Sequence, residues 1–153
     1  MKKLVKIALI ALTLALLIGS VFAVNSFAAA SDDQAAVDAG NVWKYVDSND
    51  AEQYAADLPT AVTNAKAGTT VTLLADQEVT ATGASDSAPY VKIDKALTID
   101  LNQKTFTMVQ ASKYARIGLW TTDTVLLTNG TLHAYATYDT SVAYGKASPV
   151  FFF

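Results

Sequence analysis

From Thr69 to Ala136 apolar and polar positions alternate, and the alternation breaks at short polar stretches. In "TTVTLLADQEVTA" (69–81), Val71, Leu73 and Val79 stand among threonines, a mixture that favours strands. "YVKIDKALTIDLNQKTFTM" (90–108) puts Val91, Ile93, Leu97, Ile99, Leu101, Phe106 and Met108 on the apolar beat. The beat slips at Lys95-Ala96 and again at Asn102-Gln103, and each slip predicts a corner. "IGLWTTDTVLLTNGTLHAYA" (117–136) repeats the theme, with a corner at Asn129-Gly130. Residues 83–89 (GASDSAP) read as a loop, and 110–116 are less regular.

Before Thr69 the period is helical. Leu58, Ala61, Val62 and Ala65 fall at i, i+3, i+4 and i+7, which makes one apolar face. Asp57 is placed to cap that helix, and Pro59 fits its first turn. The helix should run through Lys66 and stop at Gly68. Ser48, Asn49 and Asp50 are also capping residues, and Ala51 to Ala56 are strong helix formers, so 48–68 reads as a helix region split near Pro59. WKYV (43–46) fits a short first strand or a docking segment, and 31–42 read as a flexible, unpatterned lead-in.

Three segments share one plan: "VTLLADQEVTA", "LTIDLNQKTFT" and "VLLTNGTLHAY". Each is an apolar strand, a polar corner and a second short strand. Their centres, Leu73, Leu101 and Leu127, recur at nearly even intervals, the second slightly shorter than the first. Hairpins pair strands close in sequence, whereas a recurrence every ~27 residues points to stacked repeats. The expected fold is mainly β: a right-handed parallel β-helix of about three rungs over 69–153, with a short helix capping its open N-terminal edge. An antiparallel β-sandwich is the alternative, with its short strands and many turns.

The helix and rung together carry a resemblance. "AVTNAKAGTTVTLLAD" (61–76) followed by "IDKALTIDLNQKTFT" (93–107) resembles the opening of pectin-lyase-like β-helix domains of bacterial surface proteins. There a helix ending Ala-x-x-Gly leads to Thr-Val-x-Leu-Leu, and a later rung reads Leu-Asp-Leu-Asn-Gly-Lys-Thr. The likeness covers about residues 55–132. Gln103 stands where that family has Gly, so Asn102 must take the left-handed conformation or the turn type differs. Gly130 keeps the glycine in the next rung. The resemblance implies an architecture and leaves the activity open.

The N-terminus lies outside this pattern. Lys2, Lys3 and Lys6 precede an apolar run, Ile7 to Ile18, broken only by Thr13. Ser26-Phe27-Ala28 and Ala28-Ala29-Ala30 both offer the small-x-small pattern of a signal-peptidase site. Residues 1–30 therefore read as a bacterial secretory signal cleaved after Ala28 or Ala30. The apolar run is short of the roughly 20 residues a spanning helix needs. Membrane contact is expected only through this segment, and the mature chain is expected to be secreted or displayed at the cell surface. Removing the signal leaves 8 Lys+Arg against 14 Asp+Glu, a formal net charge of −6. No basic block survives, so nucleic acid is not an expected partner. There is no cysteine, hence no disulfide framework or thiolate metal site.

Candidate chemistry is sparse. His133 is the single histidine, on a strand position alternating with Leu132, and reads as an outward residue. Asp94, Asp100 and Asp123 are too dispersed to define a calcium site, and Arg116 has no partner set that would make it a base. The expected role of Asp94 and Asp100 is solvent exposure and pairing with Lys92, Lys95 or Lys104. No catalytic residue, metal or cofactor is expected. Tyr114, Trp120, Tyr135 and Tyr138, with Tyr144, gather in the last quarter of the chain and are candidates for stacking on sugar rings. The other role for these rings is core packing. Asn129-Gly130-Thr131 matches a glycosylation sequon but reads as a turn.

The terminal "SPVFFF" is the reverse of a polar closing cap. It reads as the edge of a piece of a longer protein or as an apolar plug, and Phe151, Phe152 and Phe153 could mediate self-association. The functional expectation is a structural or adhesive surface module binding extracellular polysaccharide or a host or matrix surface. The alternative is the N-terminal part of a polysaccharide lyase or hydrolase whose active site lies downstream.

Overall fold

Among the described residues, every pairing between two strands that both follow Thr69 is parallel. Each joins a segment to its counterpart one turn of the chain later, as Val71 lies beside Ile99 and Val79 beside Met108. The computed structural model describes residues 32–83, 90–112 and 115–137. Residues 1–35 and 36–153 form separate compact units, and the strands all belong to the second. The signal-like segment, Tyr114, Tyr138, Tyr144 and the terminal phenylalanines lie outside the described residues, as does most of the 83–89 loop.

The chain makes three successive passes. The first runs through β3 (Thr70–Leu73), β4 (Gln77–Ala81) and β5 (Tyr90–Ile93). The second runs through β6 (Leu97–Asp100), β7 (Thr105–Gln110) and β8 (Gly118–Thr121), and the third through β9 (Val125–Thr128) and β10 (Thr131–Ala136). Strands of successive passes pair side by side into three separate sheets: β3-β6-β9, β4-β7-β10 and β5-β8. The fold is mainly β. The corner at Asn102-Gln103 is not a hairpin, because β6 and β7 on its two sides belong to different sheets. Antiparallel pairing, which a sandwich would need throughout, is confined among the described residues to β1 (Trp43–Val46) with β2 (Glu52–Ala55) and with β3.

The alternation places the core as expected. Val71, Leu73, Ile93, Ile99, Phe106 and Met108 are buried, and Val79 is half-buried. Each fully buried side chain of this size contributes about 1.5–3 kcal/mol. The inward positions of the third pass, Val125, Leu127, Leu132 and Ala134, are only partly buried against the same cluster.

The lead-in differs from expectation: residues 32–38 form a helix, α1, with Asp32 and Asp33 at its favourable end. Residues 48–68 depart from the helical expectation in their first half. The segment after Asp50 is strand β2, folded back on β1. The turn between them explains why: Asp47 Oδ1 accepts the N–H groups of Asn49 (2.8 Å) and Ala51 (3.1 Å), and Asp50 takes φ 62°. Side chains that cap helices also close turns, and the open edge of β1 selected the turn. The second half is a helix, α2 (Leu58–Asn64), in which Asp57 Oδ1 accepts the N–H of Thr60 at 2.7 Å and Pro59 lies in the first turn. Leu58, Ala61, Val62 and Ala65 are buried. The helix stops short of Lys66. Lys95 Nζ donates to the carbonyls of Thr63 (2.8 Å) and Ala65 (2.9 Å), neutralising the negative end of the helix. Gly68, at φ 79°, serves the turn that follows.

At the N-terminal edge a strand joins the expected helix, β1 covering the first sheet and α2 packing on β5 of the third. β1 lies antiparallel on β3, with Trp43 opposite Leu73, while α2 packs on β1, β2 and β5.

The corners set the register. The first sheet keeps one constant interval, with Val71 beside Ile99 and Ile99 beside Leu127. The second sheet does not: Val79 lies beside Met108 and Met108 beside Ala134, so its second step is the shorter. The shortened step from Leu101 to Leu127 read in the sequence therefore belongs to the second sheet only. In the first sheet Leu127 pairs with Ile99 and not with Leu101. Asn102 and Gln103 both adopt positive φ, 49° and 61°. Asn102 Nδ2 donates to the Leu73 carbonyl of the preceding pass at 3.2 Å, and the Gln103 N–H donates to the Asn129 carbonyl of the next. At the third corner Asn129 carries the positive φ, 55°, and Gly130 does not. Gly130 is required for space: a Cβ there would meet Leu101 Cβ and lie 2.6 Å from the Lys104 carbonyl oxygen.

Two outcomes follow. Gly130→Ala should cost about 1–3 kcal/mol in urea unfolding, whereas Gln103→Gly should gain about 0.5 kcal/mol by relieving a positive φ. The hydrogen bonds from Ala51 and then Asn49 hold the Asp47 carboxyl below its ordinary value. A depressed carboxyl stabilises the fold above its unfolded-state pKa, and that contribution is lost as pH falls through the lower folded value. Carboxyl NMR should find Asp47 titrating below the ordinary aspartate value, and Asp47→Asn should abolish that transition.

Candidate ligand-binding face

Parallel register aligns outward side chains into rows across neighbouring strands, about 4.8 Å apart. On the second sheet one row is Glu78, Thr107 and His133, and the next is Thr80, Val109 and Tyr135. Glu78, Thr80, His133 and Tyr135 are exposed, and Val109 is buried. At the corner end of this face Asp76 Oδ1 accepts the Thr105 N–H at 2.8 Å, which holds the carboxylate against β7. Asp76, Gln77, Glu78, Thr105 and Thr107 line a shallow concavity of about 430 Å³. Its lining residues carry two carboxylates and two hydroxyls, and no cationic side chain lines it.

The concavity is held in place from below. Gln77 Nε2 donates to the Ala56 carbonyl (2.7 Å), and its Oε1 accepts from Trp43 Nε1 (2.6 Å). The amide thus ties β4 to β1 and to the segment before α2. The Trp43 ring meets Phe106 edge-on, with centroids 5.4 Å apart. Phe106 is the inward neighbour of Thr105 and Thr107, so the two threonines stand on a packed strand.

The two candidate aromatics among the described residues lie on different sheets. Trp120, 42% exposed, lies on β8 in the third sheet, and Tyr135, 44% exposed, lies on β10 in the second. Leu126, 56% exposed, is on β9 in the first. Closeness in sequence is undone by the corners, which send successive strands to different sheets. His133 stands outward as expected.

Two of the three dispersed aspartates serve local structure. Asp100 Oδ1 accepts the Asn102 N–H (2.8 Å), and Asp123 Oδ1 accepts the Thr124 N–H (2.6 Å). Lys95 is engaged with the end of α2 rather than with Asp94 or Asp100. Among the described residues no group of His, Asp or Glu could hold a metal ion, and no helix is long and apolar enough to cross a membrane.

Sequence reasoning missed Asp76, Glu78, Thr105 and Thr107. The signal was present in the three aligned segments, but reading it required the separate step of each sheet. No protein family, curated protein or solved structure matches this chain.

The two tryptophans provide a check. Trp43 is fully buried and Trp120 exposed. Iodide should quench the red-shifted part of the emission, and Trp120→Phe should leave a blue-shifted, iodide-resistant spectrum.

Proposed function

We propose that this chain is a secreted or cell-surface module built as a right-handed parallel β-helix of about three coils, which binds extracellular polysaccharide and performs no catalysis with these residues. The architectural part rests on the successive passes, which visit the sheets in the same order with parallel pairing. The resemblance of residues 61–76 and 93–107 to pectin-lyase-like domains agrees with it. Export rests on Lys2, Lys3, Lys6, the Ile7–Ile18 run and the small residues after it.

The observation that carries the binding role is the outer face of β4, β7 and β10. It sets an exposed tyrosine ring, in the row of Thr80 and Val109, next to a row of carboxylate, hydroxyl and imidazole groups from Glu78, Thr107 and His133. Sugar rings offer an apolar face for stacking and hydroxyls for hydrogen bonds, so a ligand of this chemistry suits a flat, polar surface with an aromatic at its end. Trp120, on another sheet, is outside this face.

A second reading, the first coils of a longer lyase or hydrolase, is favoured by the partial burial of Val125, Leu127, Leu132 and Ala134. Their counterparts one pass earlier, among them Leu97, Ile99 and Phe106, are fully covered, and a further coil would complete the third pass in the same way.

Affinity electrophoresis through gels cast with polysaccharides tests the binding role. Retardation should be lost in Tyr135→Ala and kept in Trp120→Ala. Equal loss in both, or no retardation of the parent chain, overturns the assignment to this face.

A further inference from the structure

We propose that Asn129 is a site of spontaneous deamidation, exposed to reaction when the corner between β9 and β10 is released. Asn129 is the only asparagine of the chain followed by glycine. The reaction needs the backbone nitrogen of the next residue to attack the side-chain amide carbon, and a glycine there puts no Cβ in the way. Both residues are exposed. Among the described residues no acceptor takes the Gly130 N–H, although the Asn129 carbonyl and the Thr131 N–H on either side are both bonded. That nitrogen is therefore open to solvent base. The corner one pass earlier supplies the contrast. Asn102 also has a positive φ, but its Nδ2 is engaged with the Leu73 carbonyl. Its successor, Gln103, carries a side chain and donates its own N–H to the Asn129 carbonyl.

The closed corner holds the reaction back. At φ 55° Asn129 lies in the left-handed region, whose ψ turns the Gly130 nitrogen away from the side chain. Ring closure requires the backbone to leave this conformation, which releases Asn129 from Gln103 and Thr131 from Lys104. The third pass has inward residues that are only partly buried, so it opens more readily than the passes before it. Once the corner is open, the Gly130 nitrogen loses its proton to solvent base and bonds to Cγ of Asn129. The Cγ–Nδ2 bond breaks, and the nitrogen takes up a proton and leaves as ammonia. Water then opens the cyclic imide at either carbonyl, giving aspartate or isoaspartate. Both carry a new negative charge, and isoaspartate also routes the backbone through the side chain, lengthening it by a methylene. Gly130 already packs so closely on Leu101 and Lys104 that not even a Cβ fits. The lengthened corner cannot close as before, and β10 loses its hold on β7.

The test incubates the folded chain at mildly alkaline pH beside the same chain held in urea above its unfolding midpoint. Both are mapped by peptide mass spectrometry, and isoaspartate is marked with an isoaspartyl methyltransferase. Asn129 should convert first in both samples, and about tenfold or more slowly in the folded one, since only its open fraction reacts. Asn129→Gln should abolish the product at this corner, because the longer side chain must close a larger ring. Hydrogen exchange on the separated isoaspartate form should find β10 deprotected while the first pass keeps its protection. Asn129→Asp carries the charge without the added length and should leave β10 paired. Three results overturn the site: equal rates in folded and unfolded chain, an intact Asn129 in folded chain after the unfolded chain has converted, or conversion of Asn102 as fast as Asn129 in folded chain. Unchanged protection of β10 in the isoaspartate form overturns the effect on the third pass.

Discussion

The pairing of β1 against the outer edge of β3 is the contact on which the rest of the chain depends. Parallel strands stacked pass on pass leave a row of unpaired backbone groups at each end, and an uncovered row invites further pairing. β1 closes that row by running antiparallel to β3. It also delivers Trp43 to the core, where the ring packs on Phe106 and its N–H reaches Gln77. One short strand thus seals an edge, fills the end of the core and ties the first sheet to the second. The hairpin with β2 and the helix α2 back it from outside.

Register then connects the core to the outer surface. Inward alternation fixes which residues face solvent, and parallel pairing fixes which of them stand side by side. Glu78, Thr107 and His133 are far apart in sequence and adjacent in space only because β4, β7 and β10 lie in one ladder. A slip by a single position in β7 would turn its whole apolar set outward, so packing of Phe106 and Met108 protects the outer rows as well as the core.

Much of this was legible in the residues. The apolar beat located the strands after Thr69, and the spacing of Leu58, Ala61, Val62 and Ala65 located α2. The Asn102-Gln103 and Asn129-Gly130 corners were also visible. Other features were not. The β2 segment carries helix-forming residues, and only the edge of β1 makes it a strand, which is a tertiary choice overriding a local one. Residues 32–38 have no apolar period to mark a helix, since their alanines are compatible with any outcome. Trp120 and Tyr135 are close in sequence, but corner geometry separates them into different sheets. The face at Asp76 and Glu78 was hidden for a related reason, because the two sheets repeat at different intervals.

That difference in interval has an evolutionary consequence. From the first pass to the second, the second sheet advances a single position further than the first, Val79 to Met108 against Val71 to Ile99. From the second pass to the third it falls behind by an even step, Met108 to Ala134 against Ile99 to Leu127. The corners between these sheets therefore differ in length by both odd and even amounts, while both sheets keep their inward faces inward. In a continuous strand an odd change would invert every following side chain. Here the left-handed residues Asn102, Gln103 and Asn129 reset the direction of the backbone at each corner. Insertions and deletions at these points are thereby uncoupled from the alternation on either side. A lineage can lengthen or trim a corner, shifting the outer rows of one sheet against another, without rebuilding the core. The binding surface of such a chain is free to drift by changes in length as well as by substitution.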